Sequence, residues 1–406
     1  MLRHVAVAAL LAGLVAIGVG ATLSHGSLAG QGEERASDLQ ATDPLPSHIR
    51  QGMSLASFGK NTLRLPTTIA QLDAMQDAGI DWVAVVPHWF QANETTSNIH
   101  RTSETASDTS VREFIEAAHD RGMSVFLKPH LDLSNGEWRA YIDPTNKTTW
   151  FANYTAMLSI YADIAQDTGV EIMSMGTELA TLAEENTNYV RWRNLITALR
   201  GIYDGKLTYA SNYFWEGTDQ PGYQGVSFWK DLDYVGIDAY YEVGGVGTGA
   251  GPDACLHLGG PRSIKNPTVA SMVNRWDFHL DNIEGWRAAQ PSPVSSKGIL
   301  FTEVGYGSFD GSASCPWAYP ELCSETGIQV SNTDQANGYR ALFDGVRNRS
   351  WLAGVFIWWW DNPSTSDWKA QADETDWNNY PCYYTPRGKS ALTVLGRAYA
   401  GPSPTY

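Results

Sequence analysis

Ala78-Gly79-Ile80-Asp81-Trp82-Val83-Ala84-Val85-Val86-Pro87 is the stretch on which the fold turns. An apolar-periodic helical pattern over 67–78 ends at Gly79, the residue type that takes a left-handed C-terminal turn at least cost. The uncharged run over 82–87 follows almost at once. It is too short for a helix and does not alternate, as expected of a strand whose sheet is covered on both faces. The same order recurs at Arg121-Gly122, ahead of the run over 124–129.

Working outward, strand-like runs fall at 52–57, 82–87, 124–129, 171–176, 207–211, 234–239, 298–302 and 352–358. Helical patterns lie between them at 67–78, 110–121, 150–168, 189–203, 269–289 and 335–348, and the fifth crossover, around 223–231, is short. Such alternation signals βα units around a parallel sheet. The expected fold is α/β, a single (β/α)8 TIM barrel, which takes about 250 residues plus insertions. A doubly wound open sheet would place a glycine-rich phosphate loop after its first strand. Gly52-Met53-Ser54-Leu55-Ala56-Ser57-Phe58-Gly59 has no such loop.

Hydrophobic residues make up 43% of the 406-residue chain and charged residues 18%, enough for a large core. The net charge of −16, without clustered Lys or Arg, argues against nucleic acid and for a neutral or cationic substrate. Sixteen Trp and 19 Tyr suit an open cleft in which flat apolar surface meets hydroxyl groups, as sugar rings require. Arg3 and His4 precede an apolar run over 5–21, and Ser27-Leu28-Ala29 supplies a small-residue pattern. Residues 1–29 are therefore expected to be a signal peptide cleaved after Ala29, or an uncleaved N-terminal anchor, the only membrane association expected. Either way the protein is exported. A polar linker over 30–47, carrying Pro44 and Pro46, would lead into a catalytic domain over 48–406. Cys255, Cys315, Cys323 and Cys382 form no zinc-finger spacing, so disulfides are expected. Three pairings are open. The eight-residue separation favours Cys315 with Cys323, leaving Cys255 with Cys382.

Active-site groups of such barrels sit where the strands end. Those positions hold Phe58, His88 and Trp89, His130 and Asp132, Glu178, Asn212 and Tyr213, Tyr240 and Tyr241, Glu303, and Trp358-Trp359-Trp360. Glycoside cleavage needs one carboxyl group to protonate the leaving oxygen and another to attack or to activate water. Glu178 and Glu303, at the ends of strands four and seven, meet that need as general acid/base and nucleophile. A lone strand-end Glu is more often an ion-pair partner; two at these strands favour catalysis. His88 and His130 are candidates for sugar hydroxyls, with a structural histidine as the plain alternative. A metal is not expected, because no third ligand has an obvious position, and no cofactor is implied. Trp358 is a candidate platform under the sugar; if the strand persists, Trp360 shares its side and Trp359 points away. Trp89, Phe90, Trp215 and Trp229 are candidates for further subsites.

Met175-Gly176-Thr177-Glu178-Leu179 and Leu300-Phe301-Thr302-Glu303-Val304-Gly305-Tyr306 resemble the acid/base and nucleophile segments of the clan A retaining glycoside hydrolases. Within that clan the chain is similar to glycoside hydrolase family 113, whose characterised members are mainly β-mannanases. The likeness covers nearly all of 51–400, including Val355-Phe356-Ile357-Trp358-Trp359-Trp360. It implies double displacement on a β-linked polysaccharide, most of all β-1,4-mannan, with no obligate protein partner evident. A β-glucanase or exo-β-glycosidase of the same clan and a non-catalytic carbohydrate-binding barrel are the competing readings. The resemblance also implies a tyrosine from strand six, Tyr240 or Tyr241, beside the nucleophile. One position departs from the pattern: Thr177 stands where most clan members carry the Asn that holds the sugar 2-hydroxyl, a role that Thr177 through water, or Asn212, would have to fill.

Overall fold

The computed structural model describes residues 43–183, 186–214, 221–244, 267–318, 329–362 and 382–400. The expected signal segment, most of the expected linker, Trp215, Cys255 and Cys323 lie outside the described residues. The strands are β1 (Arg50–Ser57), β2 (Trp82–Gln91), β3 (Ser124–Leu127), β4 (His130–Leu133), β5 (Ile172–Thr177), β6 (Lys206–Asn212), β7 (Val235–Asp238), β8 (Ile299–Val304) and β9 (Leu352–Ile357). The main helices are α1 (Pro66–Asp77), α2 (Asp108–His119), α3 (Lys147–Thr168), α4 (Tyr189–Arg200), α5 (Val269–Ala289), α6 (Asn332–Val346) and α7 (Ser390–Ala398).

All pairings are parallel, running β1-β2-β3-β5-β6-β7-β8-β9, and β9 pairs back onto β1. The sheet therefore closes into an eight-stranded barrel without a free edge. The run over 124–129 forms not one strand but two pieces, because Pro129 has no N–H to donate to a ladder. β4 resumes beside the end of β2, pairing His130 with His88. Helix α7 was not read from the sequence, although Ala391, Val394, Leu395 and Ala398 carry the buried helical spacing. It packs on α6 and completes the eighth unit. Leu45, within the expected linker, is buried and its N–H donates to the Ala398 carbonyl at 2.8 Å, so the chain joins the barrel before residue 48.

Strand alternation sorts side chains into two cores. Val83, Val85, Val125, Leu127, Met173 and Phe301 belong to the large cluster shared with the helices. Trp82, Ala84, Phe126, Ile172, Leu300 and Phe356, from five strands and no helix, fill the barrel interior. Arg50 closes this layer, donating from Nη1 to the Ala353 carbonyl (2.8 Å) and from Nη2 to Tyr234 Oη (2.9 Å). At the level of the Phe356 ring β1 contributes Gly52, where a Cβ would lie 2.2 Å from that ring. The Gly52→Ala variant should consequently lose about 1–3 kcal/mol, the usual cost of overpacking. Urea unfolding should show a lower midpoint at unchanged slope; a wild-type midpoint would mean that the ring has room to move.

Candidate active site

The inward face that begins at Phe126 continues through Lys128, His130 and Asp132. On β7 and just beyond it, Gly236, Asp238 and Tyr240 share the inner side, whereas Ile237, Ala239 and Tyr241 belong to the helix-side core. The two glutamates do not follow simple alternation. β8 shifts register against both neighbours, between Ile237 and Asp238 on one side and between Phe301 and Val304 on the other. As a result the consecutive residues Thr302 and Glu303 both reach the interior, Thr302 Oγ1 donating to Asp238 Oδ1 at 2.7 Å. β5 shifts against β6 between Ser174 and Thr177. Glu178 then adopts φ 51°, the left-handed region that non-glycine residues enter at a cost, while its N–H donates to the Ala210 carbonyl at 2.8 Å. Irregularities of this kind re-aim side chains next to active sites.

Glu303 is buried and held at both carboxylate oxygens. Tyr240 Oη donates to Oε2 at 2.8 Å, and the Lys128 ammonium donates to Oε1, with His130 Nε2 3.5 Å from the same atom. Lys128 Nζ also lies 3.3 Å from both Asp238 oxygens. Burial, reinforced by the Glu303 charge, pushes the Asp238 carboxyl well above its ordinary range. Burial likewise pushes the Tyr240 phenol up, so it stays a donor. Lys128 and Asp238 were not singled out in the sequence. Their signal was there: each is a charge inside a run read as buried, and such a charge needs a partner.

Glu178 occupies a different environment. Its Oε2 accepts from Trp138 Nε1 at 3.0 Å and from Arg139 Nη1 at 3.3 Å. Burial raises its carboxyl above the ordinary range; Arg139 opposes that rise and the Glu303 charge adds to it. Arg139 also bonds Asp132, through Nε to Oδ1 at 3.1 Å and again through Nη2. Burial would raise the Asp132 carboxyl, but Arg139 and His88 hold it well below the usual range. His88 Nδ1 lies 2.6 Å from Asp132 Oδ2, and its ring stacks on Phe58 at 4.2 Å. Burial, with Arg139, Lys128 and His88 around it, drives His130 well below its ordinary value and keeps it neutral. His88 Nε2, His130 Nδ1 and Thr177 Oγ1 are buried without a protein hydrogen-bond partner.

The remaining candidates divide. Trp358 lies parallel to the His130 ring at 6.0 Å, inside the site. Trp360 is buried and donates Nε1 to Gln71 of α1 at 3.1 Å, on the helix side. The two do not share a side because β9 stops at Ile357, so alternation does not extend to them. Of the two tyrosines, Tyr240 alone meets Glu303; Tyr241 stacks on His279 (4.5 Å) and meets Trp276 (5.7 Å) edge-on, against α5. Trp89 donates Nε1 to Tyr161 of α3 at 2.9 Å, and Trp229 to the Tyr223 carbonyl at 2.8 Å, so both pack away from the site. Phe90 is half-buried, its backbone bridged to His100. Asn212 is buried at the end of β6, its Oδ1 accepting the Phe214 N–H at 3.4 Å. Aromatic surface beside Glu178 comes instead from the loop after β4, where Trp138 and the exposed Tyr141 meet at 5.7 Å.

The sequence model of Glycoside Hydrolase Family 113 matches residues 56–382. The chain belongs to this family. It is a glycoside hydrolase. Among solved structures, a complex of a GH113 β-1,4-mannanase shares 23% identity at TM-score 0.69, covering 87% of this chain and 99% of the other. The GH113 β-mannanase of Alicyclobacillus acidocaldarius shares 24% at TM-score 0.68 with the same coverage. A Faecalibacterium prausnitzii β-glucuronidase shares 15% at TM-score 0.52, over 89% of this chain and 51% of that one. Likeness at these identities establishes the barrel. No curated protein matches the chain.

In this family 113 hydrolase the fold supplies the third ligand that the sequence did not reveal. His88, His130 and Asp132 offer donor atoms all within 4.8 Å of one another. Those atoms are poorly suited to a dication, since Asp132 is bonded to His88 and Arg139, and Lys128 and Arg139 set two positive charges beside the cluster. The Arg139 contact makes a prediction about Glu178. Removing a cation that favours the charged carboxylate leaves the acid form harder to ionise. With Arg139→Met, the alkaline limb of kcat/KM should move to higher pH, and kcat/KM at the optimum should fall about tenfold, roughly the 1.5 kcal/mol of one charge-assisted hydrogen bond. An unmoved alkaline limb would show that Arg139 does not set the ionisation of Glu178.

Proposed function

We propose that this enzyme hydrolyses β-1,4-mannan with retention of configuration, Glu303 attacking the anomeric carbon and Glu178 acting as acid and then base. The observation that carries this reading is the contrast between the two carboxyls. Glu303 is gripped at both oxygens by a phenol and an ammonium, whereas burial and the Glu303 charge bias Glu178 towards its protonated form. A pair of carboxyls in opposed environments is how one site holds an acid and an anion at the same pH. The solved family members described as β-mannanases support mannan as substrate. Buried polar atoms left unpaired in the protein are suited to a ligand's hydroxyls. His88, His130 and Thr177 would bind the sugar in the catalytic subsite, with Asn212 near the 2-hydroxyl and Trp358 as the platform under the ring. The built surroundings of both glutamates favour turnover over a purely carbohydrate-binding barrel.

Export through the N-terminal segment, as signal or anchor, forms part of the same proposal. So do the pairs Cys315 with Cys323 and Cys255 with Cys382. Cys315 and Cys382 are buried in one small cluster with Phe309 and Ala318.

Glu178→Ala and Glu303→Ala should each lower hydrolysis by about 10²–10⁴-fold. Azide should rescue both variants and give azido-sugars of opposite anomeric configuration. Proton NMR of the first-formed product should show the β-anomer, since double displacement retains configuration; an initial α-anomer would remove Glu303 as nucleophile. Purified protein should turn over mannan and glucomannan faster than xylan or β-glucan, and the reverse order would overturn the substrate while leaving the mechanism standing.

A further inference from the structure

The strand break at Pro129 leaves Lys128 at the foot of the site with its side chain fully buried. Burying an ammonium costs several kcal/mol unless it is paired and hydrogen-bonded. Here the partners are Glu303 and Asp238, and Asp238 is itself fixed by the Thr302 hydroxyl. Tyr240 occupies the other oxygen of Glu303. The groups facing Glu303 from the surrounding elements are Lys128, His130, Asp238 and Tyr240, with Glu178 opposite and Arg139 beyond it. His130 is neutral and Arg139 is engaged by Asp132 and Glu178, so Lys128 is the cation that meets the nucleophile.

We propose that Lys128 is a positioning residue for Glu303, its ammonium fixing Oε1 and sustaining the carboxylate while Asp238 holds the ammonium in place. The inference rests on Glu303 being the nucleophile. A Lys serving only to neutralise Asp238 would influence stability and leave the ionisation of Glu303 alone. An ammonium that serves Glu303 favours its charged form, so removing it lets Glu303 take up a proton at higher pH.

The test uses the full enzyme with Lys128→Met, Lys128→Gln and Lys128→Arg, thermal unfolding of each, and kcat and KM across pH on a soluble manno-oligosaccharide. Lys128→Met should lower kcat by about 100-fold with KM changed by about threefold or less, the pattern of a group acting in the chemical step. The acid limb of its kcat/KM profile should move to higher pH, and Lys128→Arg should return that limb towards its original position. If Lys128→Met does not fold, the same comparison is made between Lys128→Gln and Lys128→Arg. An acid limb in the same place for the charged and uncharged variants would overturn the proposal. Glu303→Ala with azide, run alongside, separates the two failures: without an azido-sugar product the nucleophile assignment falls, and with one only the role of Lys128 does.

Discussion

A carboxylate buried at the mouth of the barrel, above an apolar inner layer, is the constraint around which this molecule is arranged. Glu303 is 5% exposed, and a charge so placed is tolerated only with well-made partners. Tyr240 and Lys128 supply them, Lys128 in turn requires Asp238, and Asp238 requires Thr302. This chain of dependence ties β3, β7 and β8 together at one depth. Burial and the Glu303 charge push the Asp238 carboxyl strongly upward, and the Lys128 ammonium opposes that push.

The second carboxyl is managed by a separate network that reaches it from the loop after β4. Arg139 spans Asp132 and Glu178, and His88 anchors Asp132 from the other side. Arg139 makes its closer contacts to Asp132 and a longer one to Glu178. The two glutamates thus stand in different surroundings, Glu303 between a phenol and an ammonium and Glu178 beside an indole and a guanidinium. The left-handed backbone at Glu178 belongs to the same arrangement: strain is accepted where a side chain must be aimed against the regular strand path.

Beneath the site, the inner layer decides how closely strands can approach. Phe126 and Phe356 lie 4.9 Å apart at the centre, and neighbouring positions must be small to admit them. Gly52 yields to the Phe356 ring, and Gly236 lies where a Cβ would sit 2.3 Å from the Tyr209 carbonyl oxygen. A rigid floor of this kind gives the groups above it fixed positions, which electrostatic catalysis requires.

The succession of strand-like and helical runs and the helix-terminal glycines made the barrel, the order of its units and the ends of its strands legible in the sequence, and with them the candidates Glu178, Glu303, His88, His130 and Trp358. These are local properties: a covered strand must be apolar on both faces wherever it occurs. Lys128 and Asp238 passed unread although each is a charge in a buried run, and the pattern could not have named their partners, which come from strands 64 to 175 residues away. Nor could it choose between Tyr240 and Tyr241, or separate Trp358 from Trp360. Those choices depend on the register between β7 and β8 and on where β9 stops, and register is set by the packing of neighbouring strands. Trp89 shows the same limit from the other side: its place at a strand end suggested a subsite, and the Tyr161 hydroxyl on α3 drew it into the outer core. Trp138 and Arg139 were beyond sequence reading for a different reason. They lie on an irregular loop with no periodicity to follow, and only the closed barrel brings that loop over Glu178.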